Sequence, residues 1–184
     1  MGELRIVAGT WGRRRLKAPR GGAVRPTSER VREAWLNVLG PELSGARILD
    51  LFAGSGALGL EALSRGAAHA TFVESDRRVL QCLRANIAGL EAGEQATLVA
   101  MDALRYIDGL ETDAFDIAMA DPPYSQGLAN RTVERYMRKP FARILSVEHE
   151  VGETLTLPPA AEERRYGDTA ITIISAVDSE EDQL

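Results

Sequence analysis

The residues of this chain that could do chemistry are one glycine turn and a set of acids, each placed at the end of an apolar run. The stretch Ile48 to Gly59 reads Ile-Leu-Asp-Leu-Phe-Ala-Gly-Ser-Gly-Ala-Leu-Gly. Buried-strand character runs into a turn at Gly54 and Gly56, and Leu60 and Leu63 continue at helical spacing. A strand, a glycine loop and a helix in this order present bare backbone N–H groups to a ligand. Taken literally, Gly54, Gly56 and Gly59 match the dinucleotide fingerprint, with Glu74 about twenty residues on to hold a ribose. Asp50 argues against that ligand. Its carboxylate falls at the carboxyl end of the strand, where a pyrophosphate would sit, and two such charges a few Å apart cost on the order of several kcal/mol at an effective dielectric near 20. A ligand with a cationic amino or sulfonium group is attracted instead, and S-adenosylmethionine carries both.

Glu74, Asp102 and Asp121 end three further strand candidates. Singly, Asp102 reads equally well as a helix cap. Asp121-Pro122-Pro123-Tyr124 follows the apolar run Phe115 to Ala120 and cannot continue it. Two prolines remove two donors and fix φ, which makes a rigid ledge with outward carbonyls. Alone, this tetrapeptide is an ordinary strand terminator; beside the glycine loop it becomes a candidate for chemistry.

The elements that must position these groups follow from hydrophobic periodicity. After Gly40-Pro41 strands and helices alternate, which predicts an α/β fold with a mostly parallel sheet and helices on both faces. Strand candidates are 47–50, 70–74, 96–101, 115–120, 144–148, 162–166 and 169–176; helices are expected at 57–65, 77–88, 103–110 and 128–139. Gly167-Asp168 predicts a closing antiparallel hairpin. Upstream, Arg25-Pro26-Thr27-Ser28-Glu29 is a helix start with a Thr or Ser cap. Val31, Ala34, Trp35, Val38 and Leu39 then share one face, which predicts that this helix docks on the body.

Length and composition bound the rest. A chain of 184 residues with net charge −5 and 45% hydrophobic residues reads as one soluble domain. No run is long enough to span a bilayer, and the single cysteine, Cys82, allows no internal disulfide. No His/Cys cluster has metal-ligand spacing. A cytoplasmic, metal-free monomer is expected. Cys82 lies on the helix face of Val79, Leu83 and Ile87 and reads as core, and the two histidines, His69 and His149, read as structural. The charge is uneven: residues 1–35 hold nine Lys or Arg against three acids, +6, so the remainder carries −11. A basic arm on an acidic body predicts a polyanionic partner gripped at one end, through Arg13, Arg14, Arg15, Arg25, Arg30 and Arg32. Trp11, within that arm, could stack on a nucleic acid or pin the arm to the body. The expected division is 1–40 as basic arm and docking helix, 41–177 as catalytic domain, and 178–184 as a disordered acidic tail.

With those residues in view, Asp50-Leu51-Phe52-Ala53-Gly54-Ser55-Gly56, Glu74 and Asp121-Pro122-Pro123-Tyr124 resemble the class I S-adenosylmethionine-dependent methyltransferases that modify exocyclic amines of bases. The amino-terminal pattern Arg5-Ile6-Val7-Ala8-Gly9, Gly12-Arg13-Arg14-Arg15-Leu16, Pro19 and Arg25 to Ala34 resembles the RsmD family, nearly over the full length. That family usually has Asp at position 29 and Leu or Met-like residues near Trp35. The resemblance implies a Rossmann-like fold of seven strands with a basic N-terminal extension. It implies methylation of N2 of guanine 966 in 16S ribosomal RNA, within a small subunit or its assembly intermediate.

By the same resemblance, Phe52, Ala53, Gly54, Ser55 and Gly56 contact the methionine part of S-adenosylmethionine and Asp50 its charged end. Glu74 accepts from both ribose hydroxyls, and Asp102 with the Ala103 backbone binds the adenine edge. Asp121 and the Pro122 carbonyl hold the target amine on the ledge completed by Pro123, and Tyr124 stacks on the base. Three rivals stay open: an adenine-N6 DNA methyltransferase, an NAD-dependent oxidoreductase, and a noncatalytic RNA-binding module.

Overall fold

The computed structural model describes residues 4–19, 28–124 and 126–176. Seven strands form one sheet: β1 (Arg47–Leu51), β2 (His69–Val73), β3 (Ala96–Val99), β4 (Phe115–Ala120), β5 (Ala142–Glu150), β6 (Glu162–Tyr166) and β7 (Thr169–Ser175). Their order is β3-β2-β1-β4-β5-β7-β6. The first five run parallel and β7 lies antiparallel to both β5 and β6. All seven strand candidates form, and the hairpin turns at Gly167 with φ +66°. The strand next to β5 is β7, which buries Ala170, Ile171, Thr172 and Ile174, while the charged β6 takes the edge. Charge on an edge strand discourages pairing with other chains.

Among the described residues six helices flank the sheet: α1 (Glu29–Val38), α2 (Gly40–Leu43), α3 (Ala57–Ser64), α4 (Arg77–Gly89), α5 (Ala103–Asp108) and α6 (Leu128–Arg138). The short α2 and a 3-10 turn at Gly93–Gln95 have no counterpart among the periodic segments of the sequence. Side chains start three of the helices. Ser28 accepts from Val31 N–H, Asp76 from Arg78 and Val79, and Asp102 from Arg105. On one face of the sheet, Ile48 and Phe72 pack with Trp35, Leu36, Leu60, Leu83 and Ile87. On the other, Leu49, Leu51 and Val73 pack with Leu104, Ile107, Val133 and Tyr136. Strand β1 thus alternates between the two cores, as its period of two requires. None of the helices among the described residues is long and apolar enough to cross a membrane.

Residues 4–19 fold back on themselves through an antiparallel bridge between Arg5 and Arg15. This turn belongs to the first core, since Ile6 is fully buried there and Leu16 nearly so. Gly9, at φ +82°, lets the turn touch α3: a Cβ there would stand 1.9 Å from the Ser64 carbonyl oxygen. That carbonyl accepts from Thr10 N–H, and the Ser64 hydroxyl accepts from Trp11 N–H while donating to the Ala8 carbonyl. The Trp11 side chain also packs against this core, which pins the arm to the body.

Helix α1 docks on the body as expected, through Val31, Trp35 and Leu39, but its buried face extends to Arg32 and Leu36. Its buried residues are Arg32, Trp35 and Leu36, and the Trp35 indole N–H donates to the buried Ser146 hydroxyl. Arg32 corrects a sequence expectation: its side chain is 2% exposed and its Nε donates to Glu61, itself 0% exposed, at 2.9 Å. A second guanidinium nitrogen donates to the Arg5 carbonyl at 2.6 Å. Arg32 cannot reach a phosphate, because leaving this site would strand the buried Glu61 carboxylate. Glu61 also accepts from Arg65 and from Val7 N–H, so one carboxylate joins α1, α3 and the arm.

Removing one partner of such a pair leaves an uncompensated buried charge. Glu61→Ala is expected to lower the unfolding free energy by about 3 to 5 kcal/mol in urea titrations. Arg5→Ala, at the exposed pair with Glu29, is expected to change it by less than about 1 kcal/mol.

Candidate functional site

In open parallel sheets ligands bind beyond the carboxyl ends of the strands, where strand order reverses. Here that point lies between β1 and β4, and the glycine turn and the proline ledge leave the sheet side by side there. Asp121 N–H donates to the Leu51 carbonyl at 3.4 Å, which links the two.

The turn after β1 is tight and partly strained. Phe52 has φ +59° without being glycine, an outlier of the kind that clusters at functional sites. Gly56, at φ +79°, precedes α3 and provides no side-chain cap. A Cβ at Gly56 would stand 2.2 Å from Leu83 Cδ1, so α4 fixes this residue as glycine. The start of α3 therefore carries no side chain on its cap residue, and in its first turn the Gly59 N–H is held by Asp50. Ala53 is buried, and Gly54 and Ser55 are half-buried.

Glu74 closes over the turn. Its Oε2 accepts from Gly54 N–H at 3.0 Å and its Oε1 from Asp76 N–H at 2.8 Å. Each oxygen retains a second lone pair for a hydroxyl. Asp102 caps α5 through Oδ1 and is exposed beside Met101, and Ala103 is buried. The capping reading of Asp102 therefore holds, and it leaves Oδ2 outside that bond.

Asp50 departs from expectation. It is 1% exposed, and Oδ2 accepts from the Gly59 N–H at 2.9 Å. It lies beneath the turn and does not open to the crevice. Burial pushes its carboxyl well above the usual carboxylate range, against the Gly59 hydrogen bond, and the charges of Asp121 and Glu74 add to the rise. A carboxyl driven toward its neutral form is a poor counterion, so the anionic character of the crevice rests on Glu74 and Asp121, both half-buried.

The ledge carries Asp121 half-buried, Pro122 buried and Pro123 half-buried, with Tyr124 39% exposed. The Tyr124 hydroxyl donates to Glu148 Oε1 at 2.9 Å and lies 3.0 Å from Thr169 Oγ1. Burial, with the charges of Glu148 and Asp121, pushes the phenol up to about 12 against the Thr169 hydrogen bond. Tyr124 is thus a donor and a ring, and no base. Glu148 and Thr169 are site residues that the sequence reading did not select. The signal for Glu148 was present, because it too is an acid near the end of a parallel strand, one register step past the Ala120–Val147 pair.

The basic residues divide. Arg13, Arg15 and Arg30 are exposed. Arg14 is exposed but donates to the Gly89 carbonyl at 2.6 Å, at the end of α4, where a cation complements the helix dipole. Arg25 lies outside the described residues, as do 178–184. Cys82 is half-buried and its Sγ donates to the Lys17 carbonyl at 3.0 Å, so Cys82 itself meets the arm, at the edge of the core that Leu83 and Ile87 join. His149 is buried and bonded to Thr172, a structural role as expected. Among the described residues no cluster of ligands could hold a metal ion.

Because the folded state holds the Asp50 proton above its unfolded value of about 4, the stability this group lends is complete below that pH. It is lost as pH rises through the folded-state value. Asp50→Asn keeps an oxygen for Gly59 and removes the decline. Urea midpoints of variant and wild type are expected to converge near pH 4, with the variant the more stable at pH 8; a wild-type advantage at pH 8 contradicts the assignment.

The chain can now be set beside known proteins. A family described as Conserved hypothetical protein 95 matches residues 4–175. The Escherichia coli K12 protein named ribosomal RNA small subunit methyltransferase D is 42% identical over 162 residues, covering 86% of this chain and 81% of its own length. The solved structure of yhhF from Escherichia coli, provisionally described as a methyltransferase, superposes with a TM-score of 0.80 at 40% identity, covering 94% of this chain and 97% of that one. A Thermus thermophilus 16S rRNA N2 G1207 methyltransferase, solved with AdoMet and guanosine, shares the fold at a TM-score of 0.63 and 24% identity, over 85% of this chain and 44% of that one. Matched along most of its length by both sequence and fold, the chain belongs to the RsmD family, the ribosomal RNA small subunit methyltransferase D proteins.

Proposed function

We propose that this protein methylates the exocyclic N2 of a guanine in small-subunit ribosomal RNA, using S-adenosylmethionine. The observation that carries this reading is the meeting of the glycine turn with the Asp121 to Tyr124 ledge at the carboxyl ends of β1 and β4. The residues present suit that cofactor: Glu74 offers paired oxygens for vicinal hydroxyls, and Gly56 places no capping side chain at the start of α3. Ala103 and Asp102 would take the adenine edge. The cofactor supplies an electrophilic methyl group.

The protein's own part is to prepare the nucleophile. A guanine amino group is neutral at pH 7, so no base is needed to generate it, but its lone pair is delocalised into the ring. Asp121 and the Pro122 carbonyl accept hydrogen bonds from its two N–H groups, which localises the lone pair and aims it. Positive charge then develops on nitrogen, and an ionised Asp121 stabilises it before the proton departs. Each preorganised contact of this kind is worth on the order of 10² to 10³ in rate, beyond the gain from fixing two reactants in line. Tyr124, held through its hydroxyl by Glu148 and Thr169, stacks on the base. The base must leave its own stack first, which favours an unpaired nucleotide.

Residues 1–40 form the RNA-gripping arm in this reading and 41–177 the catalytic body. Arg13, Arg15 and Arg30 would bind flanking phosphates in this reading, with Arg25 proposed for the same role and Arg14 adding its charge. Guanine 966 is the proposed target. The substrate is a small subunit or its assembly intermediate, and the protein acts in the cytoplasm as a monomer.

Labelled S-adenosylmethionine incubated with ribosomal particles from a strain lacking this protein is expected to label one guanine of 16S rRNA. Asp121→Ala should lose about 10² to 10³ in kcat with cofactor affinity little changed; label found only in DNA, or full activity in the variant, overturns the reading. With about four phosphate contacts, log affinity for RNA should fall with slope near −3 against log salt, and Arg13→Ala should reduce that slope by about 0.7.

A further inference from the structure

Asn86, on α4, is 3% exposed and its carboxamide joins two segments that the proposed function treats separately. Its Oδ1 accepts the Lys17 N–H at 2.7 Å. Its Nδ2 donates to the Lys17 carbonyl at 3.0 Å and to the Ser55 carbonyl at 2.9 Å. These partners dictate the orientation of the amide, since a backbone N–H only donates and a backbone carbonyl only accepts. Both Nδ2 hydrogens are engaged, one on the arm and one on the turn after β1.

Two neighbouring contacts reinforce the junction. Leu83, one turn earlier on the same helix, closes against Gly56. Cys82 Sγ donates to the same Lys17 carbonyl, but touches the arm only. Lys17 lies two residues from Arg15, across the buried Leu16.

We propose that Asn86 is a positioning residue that couples the basic arm to the cofactor turn, so that RNA and the cofactor each tighten the binding of the other. This rests on the arm and the turn having the roles proposed above. Phosphates that fix Arg13 and Arg15 restrict the peptide at Lys17. The Asn86 amide, paired to that peptide at both its N–H and its carbonyl, is then fixed as well, and with it the Ser55 carbonyl. A turn already ordered loses less freedom when the cofactor binds, and linkage makes the effect reciprocal.

The test measures binding of labelled S-adenosylhomocysteine, which cannot transfer a methyl group, to the full chain by equilibrium dialysis with and without small ribosomal subunits from a strain lacking this protein. Wild-type Kd is expected to tighten about fivefold with RNA, at the lower end of usual couplings. Asn86→Asp sets a carboxylate against two carbonyls and should bring the ratio to about one, whereas Cys82→Ala should keep it. Should Asn86→Asp not fold, amide hydrogen exchange at residues 54–56 of the wild type decides instead, and RNA is expected to slow it several-fold. A wild-type ratio of one, an unchanged ratio in folded Asn86→Asp, or unaltered exchange overturns the coupling. A wild type that binds both ligands independently refutes the coupling alone; one that fails to bind either ligand refutes the functional reading beneath it.

Discussion

The turn from β1 into α3 has no side-chain cap of its own, and its shape is imposed from outside by three side chains. Asp50 holds Gly59 N–H from below, Glu74 holds Gly54 N–H from the side of β2, and Asn86 holds the Ser55 carbonyl from α4. Each comes from a different element, so the turn keeps its geometry only while β1, β2 and α4 stay packed around it. A turn defined in this way keeps a bare helix start that a capping side chain would block, and it tolerates a strained Phe52 because its surroundings over-determine it. The crevice is therefore a product of tertiary packing more than of the glycine motif itself.

The same dependence explains why the amino-terminal turn is built into the body. Ile6 and Leu16 complete the core beside Trp35 and Ile48, and Glu61 gathers Arg32, Arg65 and Val7 N–H at one buried carboxylate. Helix α3 is thus held at both ends, by the glycine turn at its start and by the arm near its finish. The arm in turn carries the exposed side chains of Arg13 and Arg15 beside the body. A basic segment anchored to this degree orients a partner as well as attracting it.

Much of this architecture could be read from the sequence, because hydrophobic periodicity and capping signals are local. The seven strands, the helix starts at Ser28 and Asp102, and the hairpin at Gly167 all follow from nearest-neighbour chemistry. What the sequence could not carry is pairing across distance. Arg32 looked like one more basic residue of the arm, and only the fold brings it to Glu61, twenty-nine positions away. Asp50 looked like a counterion at a strand end, and only packing shows it buried under Gly59. Glu148 and Thr169 meet Tyr124 because β7 inserts beside β5, an order that no local signal encodes. Cys82 had the spacing of a core residue, yet the arm, not the core, covers it.

The central claim is that one crevice, at the carboxyl ends of β1 and β4, brings a sulfonium methyl donor against a purine amine seated on the proline ledge. Crystals grown with S-adenosylhomocysteine and guanosine test it most directly. The account predicts ribose hydroxyls on Glu74 and the guanosine amino group within hydrogen-bonding reach of Asp121 and the Pro122 carbonyl. Density for either molecule elsewhere on the protein, or an amino group turned away from the ledge, would contradict it.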